Sequence, residues 1–65
     1  MVEIEFMLAA TGFWTATLVV GKARVILAYD LEDVIACKRL LDTLVPELVA
    51  AGISVAFSWS GAATV

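Results

Sequence analysis

Hydrophobic and polar positions alternate from the second residue onward. In VEIEFMLA (2–9), Val2, Ile4, Phe6 and Leu8 fall on one side of an extended segment, with Glu3, Glu5 and Met7 on the other. A period of two marks a strand with two unlike faces. Ala10-Thr11-Gly12 reads as a short turn, and FWTATLVV (13–20), rich in aromatic and β-branched residues, reads as a second strand. Gly21-Lys22 then reads as a two-residue hairpin loop, with glycine first as a type II′ turn requires. ARVILAY (23–29) is the third strand of the predicted meander.

After Tyr29 the period lengthens. Leu31, Val34, Ile35, Leu41, Leu44, Val45 and Leu48 recur at helical spacing. The pattern predicts a helix over 31–50, with Asp30 as N-cap, Asp33 near the positive end of the dipole and Gly52 just past the C-terminus. Pro46 lacks a backbone donor and crowds the preceding turn, so a kink, or a break and restart, is expected there. ISVAFSWS (53–60) alternates again: Ile53, Val55, Phe57 and Trp59 against Ser54, Ala56, Ser58 and Ser60. GAATV (61–65) reads as a loose tail.

The predicted fold is therefore a single α+β domain over 1–65, ordered β-β-β-α-β. A three-stranded antiparallel meander carries one long helix on one face, and a fourth strand follows at the C-terminus. The helix-bearing face gathers Val2, Ile4, Phe6, Leu8, Trp14, Ala16, Leu18, Val20, Ala23, Val25, Leu27, Tyr29, Ile53, Val55, Phe57 and Trp59. The opposite face takes Glu3, Glu5, Thr15, Thr17, Lys22, Arg24, Ser54, Ser58 and Ser60. Four separately patterned strands agree on this division, and such agreement specifies a fold.

Two uncharged runs, 6–21 and 48–65, invite a membrane reading. Both fall short of the about 20 predominantly apolar residues of a spanning helix and both contain glycine and hydroxyls. Their alternation favours strands, so no membrane span is expected. MVEIEF has acids where a signal peptide has a basic region, and Cys37 is the lone cysteine; both fit a cytoplasmic protein.

Sixty-five residues are few for a core. A domain of this size buries only about 60% of its unfolded surface, and its core rarely supplies more than ~3–5 kcal/mol without a further support. One cysteine and no histidine leave no internal disulfide and argue against a structural zinc site. Oligomerisation is the remaining support, and a 63% hydrophobic composition suits it. The helix projection agrees. Leu40, Cys37, Leu44, Leu48, Leu41, Val34 and Val45 centre a wide apolar arc, and Leu31, Ile35 and Val49 extend it past Lys38 and Asp42, an i,i+4 pair. Covering one sheet needs a stripe only a little over 100° wide. The surplus marks Leu31, Ile35, Lys38, Asp42 and Val49 as an interaction surface for a second copy, as dimer or higher oligomer, or for another protein.

Candidates for chemistry are weaker. Ser54, Ser58 and Ser60 lack a histidine base and a G-x-S-x-G elbow, so they read as strand serines. Glu3, Glu5, Asp30, Glu32 and Asp33 do not converge as a metal-dependent nuclease requires; pairing of Glu3 and Glu5 with Lys22 and Arg24, or solvation, is the simpler reading. Cys37 falls on the buried side of the helix, away from Lys38. Trp14, Trp59, Phe6, Phe57 and Tyr29 read as core, with an apolar-ligand pocket as the alternative. Net charge is −3 with four basic residues, which does not suit direct nucleic-acid binding. No enzyme activity, cofactor or metal is expected.

TGFWTA (11–16) and YDLEDVIACKRLLDTLVPELVAAG (29–52) together resemble the turn, second strand and helix of the HicB-like antitoxins, which have a partial ribonuclease-H-like fold of the same element order. The chain departs from that family in its tight Gly21-Lys22 hairpin, where relatives have a longer Pro/Gly connection. Tyr29 also stands where they carry glycine. The resemblance implies a catalytically degenerate fold used for protein binding and dimerisation. The expected role is thus a small non-catalytic interaction and self-association module, antitoxin-like in kind. The alternatives are a structural subunit of a larger or viral assembly, or a small apolar-ligand binder.

Overall fold

The computed structural model describes residues 1–61. Strand β1 (Val2–Leu8) is followed by β2 (Trp14–Val20), β3 (Ala23–Leu31), helix α1 (Val34–Ala50) and β4 (Val55–Gly61). The four strands form one sheet in the order β3-β2-β1-β4. β1 pairs antiparallel with β2, and β2 with β3. On its other side β1 pairs with β4, in parallel, from Val2 opposite Val55 to Leu8 opposite Gly61. A parallel neighbour cannot be reached by a tight turn, so α1 is the crossover that carries the chain back to β4.

Local chemistry accounts for the joints. Gly21 has φ +59° while Lys22 keeps a negative φ, the signature of a type II′ turn, and Val20 pairs with Ala23 across it. Gly12 (φ +91°) closes the first turn, where its N–H donates to the Ala9 carbonyl at 2.9 Å. At the end of α1, Gly52 (φ +79°) donates to the Val49 carbonyl and Ile53 to the Leu48 carbonyl, each at 2.9 Å. Those two bonds form a Schellman motif, which satisfies carbonyls the helix leaves open.

Several sequence expectations are corrected. The helix starts at Val34, three residues later than predicted. Asp33 is its N-cap, accepting from the Ala36 N–H at 2.8 Å, and Asp30 and Leu31 belong to β3. The strand runs on because two register shifts insert extra residues opposite β2, one between the Trp14 and Ala16 pairings and one between those of Ala16 and Thr17. Each insertion reverses the alternation. Leu27 and Ala28 are consequently both half-buried, Leu31 returns to pack on the core opposite Trp14, and Tyr29, expected on the core face, is 75% exposed. The helix also continues through Pro46 without a break in its assignment. The carbonyl deprived of its partner belongs to Asp42, an exposed residue. β4 begins at Val55 rather than Ile53 and reaches Gly61; the rest of the expected tail lies outside the described residues.

The core is small. Ile4, Phe6, Ala16 and Cys37 are fully buried, with Val2 at the margin, and Trp14, Leu18, Leu27, Leu31, Leu40, Leu41 and Val55 pack around them. The members from β1, β2 and β4 share the helix-bearing face, as the alternation of those strands requires.

Candidate interaction surface

α1 presents its predicted outer line to solvent. Ile35 is 62% and Val49 61% exposed, and Lys38 and Asp42 are exposed between them. Asp42 lies seven residues from both Ile35 and Val49, close to two full helical turns, so the three share one line along the helix. Leu31, expected in this surface, is absent from it because it sits in β3 against the core. Lys38 and Asp42 form no ion pair; among the described residues the salt bridge joins Arg24 to Glu5 on the far face of the sheet. Val34, placed in the centre of the arc, is exposed at the first turn.

The line does not stand alone. Asp42 also lines an open groove of about 320 Å³, with Leu41, Val45 and Pro46 from α1 and Phe57 from β4. The groove joins the exposed side of the helix to the β4 edge of the sheet. There Phe57 is 46% and Trp59 45% exposed. The sequence reading assigned both aromatics to the core. They face the helix side as expected, but among the described residues β4 has a neighbour only in β1, which leaves the outer flank of each ring uncovered. The inner flanks are occupied. Trp59 stacks on Phe6 at 4.4 Å between centroids, and Trp14 meets it edge-on at 5.5 Å. The missed signal was positional: a strand that follows a crossover helix and pairs in parallel with β1 ends up at an edge.

The opposite sheet face is covered by no second layer among the described residues. By register it carries Glu3, Glu5 and Met7 between Thr15, Thr17 and Val19 on one side and Ala56, Ser58 and Ser60 on the other. Arg24 pairs with Glu5 there. No group of three or more potential metal ligands gathers among the described residues. Asp33 is occupied as a cap. Burial pushes the Cys37 thiol above its ordinary pKa, and the nearby Asp33 carboxylate adds to the shift. A thiol held neutral and enclosed is a poor nucleophile.

No helix of the described residues is long and apolar enough to cross a membrane. The uncharged run at 6–21 takes in the end of β1, its turn and β2, and the described part of the second run, 48–61, takes in the helix end and β4. Comparison with protein-family models, with known proteins and with solved structures gives no match for this chain.

Proposed function

We propose that this chain is a non-catalytic, cytoplasmic module for self-association and protein binding, of the antitoxin-like kind its sequence resembles. The observation that carries this reading is the imbalance between core and surface. Five hydrophobic residues are buried, whereas twelve large ones are exposed among the described residues. Isolated exposed apolar residues are ordinary. Here, however, Phe57 lines a groove with Leu41, Val45 and Pro46 of α1, and Asp42 of the same groove shares a helix line with exposed Ile35 and Val49; grouped apolar exposure of this kind marks interaction sites. A core this small also gains from a partner, because binding that favours the folded state stabilises it by mass action.

Light scattering behind a sizing column, over a hundredfold concentration range, tests the reading. The expected result is a mass of at least twice 6.9 kDa at the upper end, falling on dilution. Exchange of Phe57, which lines the groove at the β4 edge, for a charged residue is expected to weaken association and leave the far-UV circular dichroism unchanged. A monomer throughout the range overturns it. Large polymers in place of small oligomers would favour the structural-subunit alternative.

A further inference from the structure

Among the described residues the sheet has two open edges, and they differ. β3 carries Arg24 and Asp30 and two register shifts, all of which hinder the addition of another strand. β4 has none of these protections. Its sequence VAFSWSG holds no charge and no proline, and it pairs with β1 in unbroken register over seven residues. Natural proteins rarely leave such an edge free.

The direction of its main-chain groups is fixed by the ladder. The Ser54 carbonyl accepts from Val2 at 2.9 Å and so points toward β1. Alternate residues point alternate ways, which turns the N–H and C=O groups of Val55, Phe57, Trp59 and Gly61 outward. We infer that this edge pairs with itself: two copies join antiparallel about a two-fold axis at Ser58, making one continuous eight-stranded sheet. This inference rests on the self-association reading above and names the surface and the occupant.

The register follows from the residues. Only an axis at Ser58 overlaps all of β4 with its copy. That axis sets Phe57 opposite the second copy's Trp59 and Val55 opposite its Gly61, which are the residues whose main-chain groups are free to bond. The two Phe57–Trp59 pairs then lie on the helix side and cover the open ring flanks. On the other side Ser58 meets Ser58, and Ala56 meets Ser60, all small. No like charges oppose one another, since β4 has none. The size is adequate but modest. Seven residues make an edge about 23 Å long, and the body is 16 Å across at its thinnest. The open ring flanks included, the two copies together bury roughly three quarters of the ~1,000 Å² at which interfaces become specific. A concentration-dependent dimer is the expected result.

Ser58→Cys tests the register. Directly opposed residues in a non-hydrogen-bonded antiparallel pair have Cβ atoms about 4.5–5.5 Å apart, near the disulfide range. Mild oxidation is expected to convert Ser58→Cys to a covalent dimer, whereas Ala56→Cys, which would face Ser60, and the wild type, with Cys37 buried, stay unlinked. Phe57→Lys is expected to raise the dimer dissociation constant at least tenfold, with circular dichroism reporting its fold. If the wild type self-associates but Ser58→Cys does not crosslink faster than Ala56→Cys, the edge pairing is wrong and the association reading survives. A wild type that is monomeric at every concentration overturns both.

Discussion

The indole of Trp59 lies nearly parallel to the ring of Phe6, 19° between planes. Phe6 is fully buried in the central strand, while Trp59 covers it from the edge. The contact joins the small core to the exposed aromatic surface. Truncation of Phe6 therefore removes both a core side chain and the support of Trp59. Phe6→Ala is expected to cost about 3–5 kcal/mol, comparable with what such a core supplies. Urea titration followed by tryptophan fluorescence should find it largely unfolded without denaturant.

The two aspartates before the helix separate cleanly. Asp33→Ala removes the side-chain acceptor for the Ala36 N–H and is expected to destabilise by about 1 kcal/mol. Asp30→Ala changes an exposed strand residue and is expected to stay within about 0.5 kcal/mol of wild type. Equal effects from the two in thermal melts would contradict the assignment of the cap.

Gly52 tests the helix stop. A Cβ there meets nothing within 4 Å, so its φ of +79° is the obstacle to a side chain. Gly52→Ala is expected to cost about 1–2 kcal/mol. Gly52→Asn should lose less, because asparagine visits the left-handed region more readily. Denaturant midpoints with unchanged slopes would establish the order.

Cys37 gives a pH signature. Its thiol is raised above the ordinary value of 9.0, first by burial and then by Asp33. The folded chain thus holds this proton more tightly than the unfolded one. Stability is expected to be insensitive to this group below pH 9.0 and to fall as pH climbs from there toward the raised value. Cys37→Ala should flatten that alkaline decline. Labelling by a thiol reagent at neutral pH should be slow in the native state and fast in denaturant.

Exposed charges matter less. Arg24 is 55% and Glu5 27% exposed in their ion pair. Solvent screening limits such a pair to about 0–1 kcal/mol. Glu5→Gln should therefore shift the urea midpoint only slightly, and less again in high salt.

The order of elements along the chain, both turns of the meander and the helix stop are legible because each rests on local chemistry. Gly21 and Gly52 announce their backbone angles, and the alternation of 2–7 matches its burial, with Val2, Ile4 and Phe6 buried and Glu3, Glu5 and Met7 less so. What the sequence hid was non-local. Nothing in ARVILAYDL marks where two residues are inserted opposite β2, so plain alternation places Tyr29, which is exposed, in the core and helical spacing places Leu31, a residue of β3, in the helix. Helical spacing does place Ile35, Lys38, Asp42 and Val49 on the exposed side of α1, since a helix face needs only its own period. Phe57 and Trp59 alternate like core residues, and only the position of β4 beside β1 shows that half of each ring lies open.

The pairing of Val2 with Val55 sets an order of events. The meander can form once Leu31 is clear of the ribosome, since its contacts are local, but the free side of β1 has no neighbour until the segment beyond Gly52 follows. In the interval Ile4 and Phe6 sit in a central strand that is still, for the moment, a border. A stalled or truncated chain ending near Gly52 presents that border indefinitely, and it should be recognised by chaperones and prone to cluster with its own kind.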